Sequence, residues 1–385
     1  MNGAQLLVVF VAVALLVMGL TAVLNTFTFP RLKLARPDSP LPNVSLLIPA
    51  RNEAAVIGQT VRALLAQDYP HFELLILDDQ SDDGTAAAVR AAAQGDPRLQ
   101  LLTAARSLSL SQGTPTSSPS GLPAGWLGKN WACHRLAQQA SGELLIFTDA
   151  DVQWRPGALA ALVTAVQQQQ ADLLTVWPTQ ETLTWSERLI VPLVALSIFS
   201  YLPAVGVHYL PWPTFAAANG QCLAFRRAAY ERVGGHAAVA GSIIEDITLG
   251  RRIKQAGLRL RMYDGAGLIA CRMYDSWTAV RHGFAKNILA GHGSSLLFLA
   301  ASTLFHWLVF VMPWVWLLQT RALWALLLVG AGLAIRGLTA VATRQRLLDS
   351  LFMPLSVLLM TIIAGQAVWW RGRGGPVWKG RQATA

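Results

Sequence analysis

The chain has 385 residues, of which 53% are hydrophobic and only 14% charged, too apolar for an ordinary soluble protein of this length and indicative of a membrane. A net charge of +10 invites a nucleic-acid reading, but the basic residues form no run with interleaved aromatics and many flank apolar segments. The expected partner is therefore an anionic membrane surface and not nucleic acid.

Residues 1–29 open the chain with an apolar run from Gln5 to Leu24, long enough to cross a hydrocarbon core of ~30 Å. The leader "MNGAQ" has no Lys or Arg and "TAVLNTFTFP" offers no clear cleavage site, so an uncleaved anchor is expected. Arg31, Lys33 and Arg36 follow it, which by the positive-inside rule puts residue 30 onward in the cytoplasm.

Across 30–188 short apolar runs alternate with helical stretches, the signature of an α/β domain with a mostly parallel, Rossmann-like sheet. The predicted strands are "NVSLLIPA", "FELLILDD", "RLQLLTA", "ELLIFTDAD" and "ADLLTVW". Helices are expected over "EAAVIGQTVRALLAQ", "GTAAAVRAAAQ", "WACHRLAQQA" and "GALAALVTAVQQQQ". "SLSLSQGTPTSSPSG", 107–121, reads as a flexible surface loop. Residues 189–212 are apolar but broken by Pro192, Pro203 and Pro211, and read as an interfacial or re-entrant segment. The soluble pattern resumes over 213–290, so both halves must share one side of the membrane to form one site. Three further spans are expected within 291–370, about Ser295–Leu318, Leu323–Val341 and Leu351–Trp370. Three crossings would put the basic tail 371–385 outside, against the positive-inside rule, so one of them is expected only to dip into the membrane; the middle one, with Arg336, is the weakest. The three cysteines, Cys133, Cys222 and Cys271, are far apart with no metal-ligand spacing and are expected as reduced core thiols.

In an open parallel sheet, ligands bind at the carboxyl ends of the strands. Asp78 and Asp79 end one predicted strand, Asp149 and Asp151 end another, and Glu53 follows the first. Glu245 and Asp246 open a later helix. Crowded carboxylates repel unless a cation joins them, and hard oxygen ligands suit Mg²⁺ or Mn²⁺ holding a diphosphate. Asp149-Ala150-Asp151 is expected as an extended strand end, with both acids on one side and Ala150 turned away. Taken alone, Asp151 serves equally well as a cap for the following helix. Asp82, Asp83 and Gly84 read as the turn and cap of the next helix. Glu245 and Asp246 suit either a helix dipole or a general base. Lys129, just before a predicted helix, is either a solvated cation or a point charge for phosphate.

Together "SLLIPARNE", "LILDDQSDDGT", "FTDAD" and "GGH" with "IIEDITLGRRIKQAG" resemble the family 2 glycosyltransferases of the GT-A fold. "LPAGWLGKNWA", "NGQCLAFRRAAYERVGGH", "CRMYDSW", "GFAKN" and "PVWKGR" bring the resemblance closest to the bacterial membrane branch with hopene-associated and carotenoid glycosyltransferases. The resemblance implies a GT-A domain, with 30–188 binding a nucleotide sugar and 213–290 supplying the acceptor side and the base. By it, Pro49, Ala50, Arg51, Glu53 and Asp79 line the nucleotide pocket, Lys129 approaches the nucleotide, and Asp149 with Asp151 holds Mg²⁺ or Mn²⁺ and the diphosphate. Asp246, beside Glu245, would be the base. The implied reaction is inverting transfer of a hexose, glucose from UDP-glucose, to a lipid acceptor such as a carotenoid or hopanoid. The implied location is the bacterial cytoplasmic membrane, with the catalytic domain in the cytoplasm. Transfer to a polyprenyl phosphate or a polysaccharide is the alternative. "RMYDSW" stands where processive synthases of this family carry Q-x-x-R-W, a departure that argues for single transfer.

Overall fold

The computed structural model describes residues 1–37, 39–103, 122–373, 375, 377–378 and 381–382; the loop expected at 107–121 and most of the tail lie outside them. The chain divides into two compact units, a sheet unit built chiefly from Pro30–Thr179 and Val207–Arg272, and a helical unit from Met1–Phe29, Gln180–Gly206 and Met273–Pro376.

The sheet unit contains β1 (Val44–Ala50), β2 (Phe72–Asp78), β3 (Leu99–Thr103), β4 (Leu144–Thr148), β5 (Val152–Trp154), β6 (Leu173–Trp177), β7 (Cys222–Arg226), β8 (Leu260–Asp264) and β9 (Ile269–Cys271). Seven of these form one sheet in the order β3-β2-β1-β4-β7-β6-β8. All neighbours are parallel except β7, which runs antiparallel between β4 and β6. The central strands are covered on both faces, which is why they read as continuous apolar runs: Leu46, Leu47, Ile48, Leu74, Leu75 and Ile76 are completely buried. Helix Ile57–Leu65 turns Ile57, Thr60, Val61 and Leu64 inward at helical spacing.

The antiparallel course of β7 matters for function. Thr148 at the carboxyl end of β4 pairs with Cys222 at the start of β7, so the residues preceding β7 arrive at the same sheet edge as the residues following β4.

Among the described residues of the helical unit, four helices are long and apolar enough to cross a membrane: Gly3–Thr28, Leu296–Thr320, Leu323–Ala342 and Leu347–Arg371. Residues 185–209 fold instead as three short helices, Trp185–Ile190, Pro192–Tyr201 and Ala204–Tyr209, of 6, 10 and 6 residues. Each is too short to cross a bilayer, which takes about 20 residues. The break at Pro203 strands backbone groups, and buried Asn25 of the first helix satisfies them. Its Nδ2 donates to Phe199 O (2.9 Å) and Leu202 O (2.8 Å), while its Oδ1 accepts from the Ala204 N–H (2.8 Å).

Candidate active site

Three of the local expectations need correction. Asp149-Ala150-Asp151 is not an extended strand end but a tight turn between β4 and β5, closed by the Val152 N–H donating to Asp149 O (3.3 Å). Asp151 caps no helix, because "VQW" is β5 and the next helix, Ala158–Gln168, starts after Gly157. Lys129 does not precede its helix either. It is the second residue of Gly128–Gln139, which starts earlier than its apolar spacing indicates because Gly128, Lys129 and Asn130 carry no hydrophobic signal.

That helix start carries Lys129 into the acidic cluster. Its Nζ lies 2.9 Å from Asp149 Oδ1 and 3.1 Å from Glu245 Oε1. Burial works against its charge, but Asp149 and Glu245 outweigh it and hold the ammonium well above its ordinary pKa. The next residue, Asn130, is buried and donates through Nδ2 to Val239 O (2.9 Å), Ala240 O (2.9 Å) and Ser242 O (3.0 Å). One helix start thus fixes both the cation and the loop that leads into helix Glu245–Gln255.

Asp246, half-buried in the first turn of that helix, accepts through Oδ2 from the Gly220 N–H (2.8 Å) and through Oδ1 from the Ile247 N–H (2.8 Å). Burial, and then the Glu245 charge, raise its pKa to about 7, against the lowering effect of Lys129 and these backbone donors. Gly220 stands amid all three charged groups. A Cβ there would lie 3.2 Å from Glu245 Oε1, 3.3 Å from Lys129 Nζ and 3.4 Å from Asp246 Oδ2. Its turn is pinned to β6 by Thr175, whose Oγ1 accepts from the Asn219 N–H (2.9 Å).

On the other side of the turn, burial raises Asp151 to about 7, with the charges of Asp149 and Glu53 adding to it. The buried Cys271 thiol hydrogen-bonds to Asp151, and Gln221 Nε2 donates to Cys271 Sγ (2.9 Å). Thr60 holds the turn from behind, donating to Ala150 O (2.7 Å). All three cysteines are free and buried.

Pro49 and Ala50 close β1, and the Asp79 N–H donates to Ala50 O (2.8 Å), which joins the ends of β1 and β2. Arg51 crosses the same gap, its Nη1 donating to Asp79 O (2.7 Å). Glu53 is anchored by its N–H to Thr85 Oγ1 (2.8 Å). Asp83 accepts from the Thr85 and Ala54 N–H groups in the turn before helix Thr85–Ala93, whose N-cap is Gly84.

A divalent cation fits the chemistry of this edge. Asp149, Asp151 and Glu53 offer hard oxygens, and the first and last lie close enough to Asp151 to raise its proton affinity. Among the described residues no three His, Cys, Asp or Glu side chains converge tightly enough to hold a metal alone. Such an ion would need oxygens from a bound diphosphate and water as well.

Sequence reading missed Gly220, Gln221, Cys271 and Asn130. "NGQ", "GKN" and "LIAC" contain them, but nothing local in these stretches marks a close approach to partners 26 to 112 positions away.

A family model described as "Glycosyltransferase like family 2" matches residues 42–287. The chain belongs to glycosyltransferase family 2. Among family members, the 4,4'-diaponeurosporenoate glycosyltransferase of Staphylococcus haemolyticus (strain JCSC1435) is 27% identical over 281 residues, 71% of this chain and 66% of the relative. The enzyme of that name from Staphylococcus aureus (strain MRSA252) is 26% identical over 259 residues, 66% of this chain and 62% of the relative. The chain therefore spans under two thirds of the length of these relatives. The mannosyltransferase PcManGT of Pyrobaculum calidifontis, solved in complex with GDP-Man and Mn²⁺, superposes with a TM-score of 0.56 over 95% of this chain and 98% of its own, at 20% identity. The shared fold is GT-A.

Proposed function

We propose that this family 2 glycosyltransferase is a membrane-bound, metal-dependent, inverting hexosyltransferase that moves glucose from UDP-glucose to a lipid such as a carotenoid or hopanoid. The observation that carries the proposal is the convergence of Lys129, Asp149, Glu245, Asp246 and Gly220 at one sheet edge. The carotenoid named in the two relatives and the apolar helices of this chain both support a lipid acceptor. The nucleotide sugar and Mn²⁺ of the mannosyltransferase support the donor class and the metal. Asp149 and Asp151 would hold that metal, which would neutralise charge on the leaving diphosphate. Pro49, Ala50, Arg51, Glu53 and Asp79 would cradle the nucleoside, and Lys129 would exchange its partner Asp149 for phosphate.

Asp246 is suited to act as the base. An acceptor hydroxyl attacks the anomeric carbon, its proton passes to the Asp246 carboxylate, and the bond from that carbon to the diphosphate breaks with the electron pair leaving on the diphosphate. Displacement from the opposite face inverts the centre. A pKa near 7 lets the carboxylate be ionised when needed and still basic enough to take the proton. Glu245 would keep Lys129 in place.

The test uses membranes carrying the wild-type chain or Asp246→Asn, labelled UDP-sugars, Mg²⁺ or Mn²⁺, and lipid extracts of the source organism. Label in the organic phase from wild type but not from the variant is the expected result. Label only in insoluble polymer, or equal activity in the variant, overturns the acceptor or the base respectively.

A further inference from the structure

The segment Asn219-Gly220-Gln221 reaches the candidate site on both sides. Its Gly220 N–H donates to Asp246, and Gln221 O accepts from the Asp149 N–H (3.4 Å). Gln221 Nε2 donates to Cys271 Sγ (2.9 Å), and the Cys271 thiol in turn donates to Asp151. Two buried side chains, neither of them an acid or a base at work in the transfer, thus stand in line behind one carboxylate.

The direction of each hydrogen bond is set by the one before it. Thr175 Oγ1 accepts from the Asn219 N–H (2.9 Å) and donates to Asn219 O (3.3 Å), which holds Asn219 against β6. Asn219 Oδ1 accepts from the Gln221 N–H (3.0 Å), and its Nδ2 donates to Gln221 Oε1 (3.4 Å). With its oxygen so engaged, the Gln221 amide presents N–H to the sulfur. A thiol has a single proton, and because the sulfur accepts from Gln221, that proton is left for Asp151. The strand pairing delivers the thiol to this place: Cys271 of β9 stands opposite Val152 of β5, the residue after Asp151. Asp151 needs the hold, since Asp149 and Glu53 press like charge on it and push it out of any shared orientation.

We propose that Gln221 and Cys271 are positioning residues for Asp151, a two-step relay that presents its carboxylate to the divalent cation and thereby sets the affinity of the site for that ion. The proposal rests on the assignment of Asp149 and Asp151 as the metal-holding pair. Partners that orient a metal ligand from behind are typically worth about 10- to 100-fold in metal affinity, so a relay of this kind has a measurable effect without touching the ion.

The test titrates the full chain in detergent with Mn²⁺ in the presence of UDP or GDP, reading bound ion from the loss of the free Mn²⁺ electron paramagnetic resonance signal, and records melting temperatures beside it. Cys271→Ala removes the donor to Asp151 and is expected to weaken Mn²⁺ binding at least about tenfold. Gln221→Met keeps the length of the side chain but removes the donor to sulfur, and should weaken binding in the same direction. It leaves the buried thiol in place, so it reads the relay even where Cys271→Ala does not fold. Cys271→Ser restores a group that accepts from Gln221 and donates to Asp151, and should recover most of the affinity that alanine loses. Serine and alanine variants that lose affinity equally, or variants that melt lower while binding Mn²⁺ like wild type, would show a merely structural role and overturn the relay alone. A wild-type chain that binds no Mn²⁺ with either nucleotide overturns the metal assignment of Asp149 and Asp151, and the relay with it.

Discussion

At the scale of single residues, the site is a matter of charges brought to one point and kept apart by a glycine. Asp246→Asn is expected to lower the rate with a hydroxyl acceptor by ~10²- to 10⁴-fold. With a carboxylate acceptor, already ionised at neutral pH, the loss should be much smaller, and comparing the two acceptors in one assay checks it. The same group sets an acid limb. Its pKa is raised to about 7, so the proposed base is protonated and lost as pH falls through that value, and kcat/KM for a hydroxyl acceptor should drop tenfold per unit below it. Gly220→Ala puts a methyl 3.2 to 3.4 Å from Glu245, Lys129 and Asp246. Transfer should fall by about 10²-fold through misplacement of the three groups, while the melting temperature changes little. The acids were legible in the sequence because they follow apolar runs. The glycine was not, since its need comes from three side chains delivered by other elements and not from a turn of its own.

At the scale of elements, the start of helix Gly128–Gln139 organises the site. Asn130→Ala removes three donations to the loop at 239–242, which should cost about 1–3 kcal/mol and let helix Glu245–Gln255 shift. A lower melting temperature together with a lower kcat would show both effects, whereas an unchanged kcat would separate the loop from the chemistry. The strands themselves were readable from composition, because a strand covered on both faces is an unbroken apolar run. The turn Asp149-Ala150-Asp151 was not, because alternation of side chains assumes that the strand continues, and here the chain folds back into β5 after three residues. The helix start at Gly128 escaped for the complementary reason: its first three residues face charge and backbone and leave no apolar period to read.

At the scale of the molecule, the four long helices predict retention in membranes after an alkaline carbonate wash, and release of the chain would contradict their assignment as spans. Asn25→Ala should leave Phe199 O, Leu202 O and the Ala204 N–H without partners, loosening the helical unit by about 1–3 kcal/mol, to be read as faster proteolysis around residues 198–206. The sequence announced the division into apolar and soluble parts, since composition changes sharply at each junction. It did not announce how Pro203 would be tolerated, because the group that satisfies the break comes from a helix more than 170 residues away.

The chain leaves one unit for the other after residues 29, 179, 206, 272 and 376. The sheet is therefore interrupted by a stretch of the helical unit between β6 and β7, the strand pair that brings Gly220 to its place. No single cut can release the sheet unit as a free fragment, and exchanging substrate preference with a relative by swapping one end of the gene would divide both halves. Modularity in this protein exists in space but not along the gene. Two linked replacements, of 180–206 and of 273–376, are the smallest graft that would carry the remainder of the helical unit to a new host while keeping the host's first helix.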